Sequence, residues 1–195
     1  MLSKKYHYHS FNLITAFVLI AVAVCSAVLL TDSRCYADSA KEINASVDVA
    51  LSRFKQDVHG GEAFLKGAKA VLVMPKVLKA GIGVGGEYGE GALRIHGKTV
   101  DYYKMLSASW GFQLGAQQKS VILVFMDTAS LKRFRQSEGW KAGVDASVAM
   151  LKLGAGGDID TNTLKQPVVG FVYGQKGLMV NLSLEGSKFH RVKKH

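Results

Sequence analysis

The first hydrophobic pattern with helical spacing covers residues 38–58, DSAKEINASVDVALSRFKQDV. Apolar side chains recur there every three or four positions, which predicts an amphipathic helix with one apolar face. The positions on that face are Ile43, Val47, Ala50, Leu51, Phe54 and Val58. Asp38 or Ser39 is suited to cap the start of this helix, and Gly60-Gly61 to end it. EAFLKGA predicts a short second helix.

From residue 70 onward the pattern changes to short apolar runs that are typical of strands. They begin with KAVLVMP, closed by Pro75, and continue with GALRIHG, TVDYYKMLSASWGFQLGA and KSVILVFMD. TASLKRFRQSEGW interrupts them with a helical pattern. KAGVDASVAMLKLGAGG fits a strand or a helix, and its glycines favour a strand. YGQKG and LEGS are typical of turns joining three final strands, and YGEGALRI resembles YGQKGLMV as a second hairpin-like piece.

These patterns predict one α+β domain. Its N-terminal amphipathic helix packs on a largely antiparallel, glycine-rich β sheet or barrel-like body that carries one inserted helix. A chain of 195 residues, of which 48% are apolar, suits a single domain of this kind. Such a domain can bury a core without disulfides or metal.

The first 37 residues have the layout of a secretory signal. Lys4 and Lys5 precede an apolar run over about residues 13–30, and a polar segment follows. Small residues at Cys35 and Ala37 predict cleavage before Asp38, which leaves residues 38–195 as the mature domain. Two alternatives remain open: a retained membrane anchor, and lipidation of Cys25, for which the preceding Val24 is a poor signal. All three outcomes export the domain.

Export and charge together narrow the class of partner. Both cysteines lie in the first 37 residues, so a mature domain without them is neither a thiol enzyme nor a disulfide scaffold. Residues 1–37 carry a net charge of +2, and residues 38–195 keep +8 of the chain's +10. An exported basic protein is expected to meet phospholipid headgroups or other envelope polyanions rather than nucleic acid. The plain alternative is a solvated basic surface.

The stretch KAGIGVGGEYGEG contains G-x-G-x-x-G spacing at Gly81, Gly83 and Gly86, with Asp101 twenty residues after the first glycine. A dinucleotide site also needs a helix directly after these glycines, and further glycines interrupt any helix there. Nucleotide binding is therefore excluded. In a strand, Gly81, Gly83 and Gly85 share one face and leave it bare, which favours close packing or sheet curvature. A lipid cleft over that face is the alternative.

No catalytic or metal motif stands out. GDIDTNT begins like a calcium loop but lacks the later glycine and glutamate ligands. The histidines have no metal-ligand spacing, and no serine-hydrolase elbow occurs. Glu87 and Glu90 are interpreted as solvated surface residues rather than an acid–base pair. We therefore expect a non-enzymatic protein with no metal and no cofactor.

Basic residues surround the glycine stretch. Lys76 and Lys79 precede it, and Arg94 and Lys98 follow it. The C-terminal tail adds Lys188, Arg191, Lys193 and Lys194. Each basic side chain near an anionic bilayer contributes about 1 kcal/mol of attraction. These basic residues can form a membrane-binding surface only if their side chains lie on one face of the domain.

Three stretches in combination resemble the SYLF domain: KAVLVMPKVLKAGIGVGGEYGEGALRI, WGFQLGAQQKSVILVFM and GFVYGQKGLMVNLSLEGSKF. The likeness covers about residues 40–192, in the form of a bacterial, exported, stand-alone domain without SH3 or FYVE modules. It implies binding of acidic phospholipids. Yeast relatives also bind actin, which an exported bacterial protein does not meet. The implied lipid-binding elements are the helix over 43–58 with Lys55, and Lys76 and Lys79.

The sequence therefore predicts an exported, non-enzymatic domain of the periplasm or cell envelope that associates with anionic phospholipid membranes. Its candidate lipid-binding residues are Lys55, Lys76, Lys79, Arg94 and Lys98. The apolar helix face or a glycine-lined cleft takes acyl chain or inserts shallowly. Alternatively, that helix face packs on the sheet, and the protein is a structural or interaction protein that binds an acidic protein or polysaccharide of the envelope.

Overall fold

Two helices open the domain, and local signals set their ends. The computed structural model describes residues 38–152, 165–177, 184 and 186–194. Helix α1, Ala40–Asp57, begins after Ser39, which forms a capping box with Glu42. The Ser39 hydroxyl accepts from the Glu42 amide, and the Glu42 carboxylate accepts from the Ser39 amide at 2.8 Å. Helix α2, Gly61–Gly67, follows, so both predicted N-terminal helices are present.

A single long hairpin forms most of the sheet. Strand β1, Ala70–Ile95, pairs antiparallel with strand β2, Lys98–Phe125, around a turn at His96 and Gly97. Both turn residues have positive φ, 49° and 78°, as a tight hairpin turn requires. The prediction of several short strands between residues 70 and 95 is therefore wrong. Register shifts after Met74 and after Ile82 accommodate the proline and the glycines without ending the strand.

Short strands complete the sheet on either side of β2. They are β3, Trp140–Lys141, β4, Ala149–Lys152, β5, Val168–Gly177, and β6, Lys188–Val192. The order is β3-β6-β2-β5-β4 with β1 also paired to β2, and only β4–β5 is parallel among these pairs. Helix α3, Thr128–Gln136, is inserted after β2 and capped by Asp127. The predicted α+β class, with a largely antiparallel sheet and one inserted helix, is confirmed.

Two turn predictions need correction. YGQKG belongs to β5, where Gly174 with φ of 65° sits at a register shift against β2. YGEG lies inside β1, so the two hairpin-like pieces are continuous strands over the described residues. Positive φ at a glycine here marks a bulge rather than a chain reversal. The turn at Gly186 is present. The stretch KAGVDASVAMLKLGAGG, whose glycines favour a strand, contains strand β4.

The sheet has a core on each face. One core joins the inner faces of the hairpin to α3 and to Trp140 and Phe189. The other joins α1 and α2 to the outer face of β1, β2 and β5. The apolar face of α1 is buried in this second core through Ile43, Val47, Ala50 and Phe54. Asp38–His195 thus form one compact unit, and the expectation that this helix face packs on the sheet is confirmed.

The glycines at which backbones approach closely are Gly89 and Gly91, which lie further along β1 than the Gly81–Gly85 stretch where the sequence predicted close packing. A Cβ on Gly91 would lie 1.9 Å from the carbonyl oxygen of Val73, and one on Gly89 would lie 2.8 Å from Val77 Cγ2. A Cβ on Gly86 would only reach ordinary contact, 3.7 Å from a backbone oxygen. The second part of β1 therefore crosses the first part at Gly89 and Gly91, because only glycine fits there.

Candidate functional site

A buried charge cluster lies inside the hairpin. Lys79 Nζ is 3.3 Å from Glu87 Oε1, and Lys119 Nζ is 2.8 Å from Glu87 Oε2. The Lys79 and Glu87 side chains are each 4% exposed, and that of Lys119 is fully buried. The Lys119–Glu87 contact is an ion pair whose angles fall outside hydrogen-bond geometry. Two ammonium groups thus share one carboxylate, and the cluster carries a residual charge of +1.

Strand pairing explains this placement. Lys79 is paired with Gln117, and Lys119 with Val77, so the four side chains share the inner face of the hairpin. Glu87 reaches the same face from the second part of β1. Lys79 is therefore enclosed, which corrects its assignment as a residue that meets headgroups at the surface. Glu87 is also buried, contrary to the solvated role expected for it.

Glu90 is not solvated either. Its carboxylate accepts from Lys194 Nζ, which lies 2.8 Å from each oxygen, and from the Tyr88 hydroxyl at 2.8 Å. The Glu90 and Lys194 side chains are 8% and 10% exposed. The two glutamates thus sit in separate ion pairs with lysines instead of forming a carboxylate pair on the surface.

The first of two grooves beside α1, the Lys55 groove, has a volume of about 410 Å³ and lies between α1, α2 and the hairpin turn. Lys55, Lys66 and Arg94 supply its positive charge. Arg94 pairs with Asp48, and Lys66 Nζ lies 3.0 Å from Glu62. The hydrogen bond from Lys66 lowers the pKa of the Glu62 carboxyl. Two of the three cations here are therefore neutralised by acidic neighbours.

The Lys76 groove, on the opposite side of α1, has a volume of about 400 Å³. Arg53 and Lys76 line it, and neither has an ion-pair partner among the described residues. Its floor includes Tyr173, whose hydroxyl donates to the Ala50 carbonyl at 2.7 Å. Burial raises the pKa of Tyr173 to about 12. The groove therefore offers two cations that have no ion-pair partner in the described ranges, above a neutral, fixed floor, with Asp57 among its lining residues.

One exposed apolar side chain lines the Lys76 groove, and a second lies on the strand beside it, where Leu78 pairs with the groove residue Gln118. Val49 on α1 is 53% exposed and lines the groove, and Leu78 on β1 is 47% exposed. Leu78 is two residues from Lys76, so both point to the outer face of β1, away from the buried Lys79. This surface combines unpaired positive charge with apolar area in the way an interfacial contact does.

The structure thus divides the candidate basic residues. Lys55 and Arg94 share one groove, Lys76 lies in the other, and Lys79 lies inside the hairpin. Lys98 is exposed at the start of β2 and lines neither groove. Arg53 was not among the predicted residues, because it has helical spacing but no distinguishing pattern in the sequence. Lys119 was not predicted either, although its alternation with the inward Val121 and Leu123 is a usable signal for a buried position.

The glycine stretch continues as strand, without the helix a dinucleotide site needs. Gly81 pairs with Gly115 and Gly85 with Ser109, and the register shift between Ile82 and Val84 falls at Gly83 and interrupts regular alternation. Asp101 forms ion pairs with Arg135 at 3.0 Å and Arg191 at 3.6 Å. This arrangement agrees with the exclusion of a nucleotide fingerprint.

Other expectations concern residues outside the described part of the chain. The calcium-like GDIDTNT stretch, Cys25 and the predicted signal all fall there. Within the described residues, no three His, Cys, Asp or Glu side chains are grouped to hold a metal ion. No helix in those residues is long and apolar enough to cross a bilayer.

Comparison with known families identifies a matching family model. Residues 106–194 match the Ysc84 family, described as Las17-binding protein actin regulator. No curated protein matches the chain. The family match begins within β2 and ends after β6, so it includes Lys119 and Lys194 but not α1 or β1. It confirms the resemblance to the SYLF domain.

Proposed function

We propose that residues 38–195 form an exported, non-enzymatic domain that associates with anionic phospholipid membranes of the bacterial envelope. The match of residues 106–194 to the Ysc84 family supports this proposal. The resemblance to SYLF domains implies lipid binding, and the net charge of +8 favours anionic surfaces. The actin part of the family description is not extended to this chain, since an exported bacterial protein meets no actin.

The observation that carries this proposal is the Lys76 groove. Arg53 and Lys76 stand there without ion-pair partners among the described residues, next to the exposed Val49. The exposed Leu78 pairs with Gln118, which also lines the groove. Each cation near an anionic bilayer contributes about 1 kcal/mol, and the apolar side chains add shallow insertion. The two effects act on one surface and therefore reinforce each other.

The remaining candidates fit this role less well. The apolar face of α1 is buried against the sheet, so shallow insertion falls to Val49 and Leu78 on the outer surface. In the Lys55 groove, Asp48 and Glu62 already neutralise Arg94 and Lys66. Lys55 and Lys98 then add general attraction to the membrane rather than a defined site.

Vesicle co-sedimentation of residues 38–195 tests the proposal. Vesicles of phosphatidylcholine alone are compared with vesicles that also contain phosphatidylglycerol, at low and near-physiological salt. We expect binding only to the anionic vesicles, weakened by salt because exposed charges are screened. Absence of binding to either vesicle at low salt would refute lipid association and favour an acidic protein or polysaccharide partner.

Two double variants locate the site. Arg53→Glu with Lys76→Glu should reduce partitioning by at least about 30-fold, because two contributions of about 1 kcal/mol are lost. Lys55→Glu with Lys98→Glu changes the net charge equally but lies outside the Lys76 groove, so it should cause a much smaller loss. Equal losses in the two variants would mean diffuse attraction instead of a site at this groove.

A further inference from the structure

Glu90 joins the two ends of the described domain. Its Oε2 accepts a hydrogen bond from the backbone nitrogen of Asp38 at 3.1 Å. Lys194 near the C-terminus donates to both Glu90 oxygens at 2.8 Å and to the Asp38 carbonyl oxygen at 3.0 Å. Because the Glu90 side chain is 8% exposed, its carboxylate is poorly hydrated and its protein donors matter.

The backbone nitrogen at this site follows the predicted cleavage point. Small residues at Cys35 and Ala37 predict hydrolysis of the Ala37–Asp38 bond. We propose that the chain is cut there and that Glu90 is the receptor for the α-ammonium group that the cut creates at Asp38. This inference rests on the export part of the proposed function, but it does not depend on lipid binding, and N-terminal sequencing tests it separately from vesicle binding.

The chemistry of the step is peptide hydrolysis by a signal peptidase. Water adds hydroxide to the Ala37 carbonyl carbon, the C–N bond breaks, and the nitrogen of Asp38 takes the remaining proton. The new carboxylic acid of Ala37 gives up its proton and leaves with the leader as a carboxylate, and the new amine takes up a proton at neutral pH. Before the cut, Asp38 offers Glu90 one neutral amide proton. After it, the same nitrogen offers a positive charge and three donors.

The charge around Glu90 is suited to this second cation. Lys194 is the cation already at the carboxylate, and its two hydrogen bonds, with those from the Tyr88 hydroxyl and the Asp38 nitrogen, use the roughly four that a carboxylate accepts. The ammonium group therefore takes the place that the Asp38 amide already holds. Hydrogen bonds in which the donor is also ionised are roughly twice as strong as neutral ones. Cleavage therefore strengthens a contact whose geometry already exists. Ser39 caps α1 directly after Asp38, so the same contact fixes the start of that helix.

N-terminal sequencing of the full-length chain exported from a bacterial host tests the cleavage site. We expect Asp38 as the first residue. A mature protein that begins at another residue, or that keeps its leader, would overturn the inference.

Thermal unfolding tests the receptor. The protein that begins at a free Asp38 amine is compared with the same protein after Nα-acetylation, which keeps an N–H but removes the charge. We expect the free-amine form to unfold about 2–4 °C higher at pH 6.5. This is the shift in unfolding temperature that about 1 kcal/mol of stabilisation gives in a domain of this size. Pairing raises the α-amine pKa above its unfolded value of about 7.7–8.0, so the gap is full below that range and closes as pH rises through the folded pKa.

The variant Glu90→Gln assigns the effect to this carboxylate. In that background the free and acetylated forms should unfold at the same temperature. Equal unfolding temperatures of the unsubstituted forms at pH 6.5, or a gap that persists with glutamine, would overturn the assignment. If Glu90→Gln does not fold, the pH dependence of the free-minus-acetylated gap decides, because only an amine that titrates makes it close.

Discussion

Replacing Glu87 with glutamine should destabilise the domain strongly. The substitution keeps the side chain's size but removes the carboxylate that lies 3.3 Å from Lys79 and 2.8 Å from Lys119. Two ammonium groups then remain in the interior without a counter-charge from the part of the chain that the structure describes. Removing one partner of a buried ion pair typically costs about 3–5 kcal/mol. That is a large share of the roughly 5–15 kcal/mol by which a domain is stable.

Urea and thermal unfolding, followed by circular dichroism, measure this cost. At about 2–4 °C per kcal/mol for a domain of this size, the unfolding temperature should fall by about 6–20 °C. The control is Glu62→Gln, which breaks the exposed pair with Lys66, whose two side chains are 59% and 75% exposed. We expect no measurable change there, because surface pairs contribute little.

A third variant separates charge from packing. Lys79→Met, Glu87→Gln and Lys119→Met together remove all three charges while keeping the long side chains. Replacing a buried ionic group by apolar residues is often neutral or stabilising, so this triple variant should recover most of the stability that Glu87→Gln alone loses. A loss below about 1 kcal/mol for Glu87→Gln, or a triple variant less stable than the single one, would refute the reasoning.

Two further predictions follow from packing and titration. Gly91→Ala should destabilise the domain by about 3 kcal/mol or more in urea unfolding, since its Cβ would lie 1.9 Å from the Val73 carbonyl oxygen. The control Gly86→Ala, whose Cβ would have its nearest contact at 3.7 Å, should change stability little. Equal effects of the two substitutions would contradict the crossing within β1. Burial raises the pKa of both Tyr103 and Tyr173 to about 12, so stability should be intact below pH 10 and fall as pH rises toward 12. The double phenylalanine variant should lose less stability over that range, and ultraviolet titration of the tyrosines measures the same difference.

Local patterns predicted the elements that depend on neighbours in sequence. Helical spacing and the Ser39–Glu42 capping signal placed α1, and its apolar positions became its buried face. Alternation and β-branched content identified strands but not their length. Pro75 and the glycines usually end strands, whereas here register shifts absorb them, so β1 runs unbroken from Ala70 to Ile95.

The site shows the limit of such patterns. Lys76 and Lys79 stand three residues apart and have the same side chain, yet one is exposed in a groove and the other is buried beside Glu87. Pairing with β2 and the crossing of β1 over itself decide between them. Neither contact is encoded within a short window of sequence, because Lys79 pairs with Gln117 on the next strand and Glu87 meets Lys119 there.

The sequence by itself determined the α+β class, the capped helix, the basic charge of the domain and the family resemblance. These depend on composition, local periodicity and motif content, which a single chain displays directly. Only the tertiary structure decided which cations face solvent, that two glutamates serve as buried partners of lysines, and that Glu90 meets Asp38 and Lys194. Strand register assigns each side chain to a face, and a shift of one residue moves it to the opposite face.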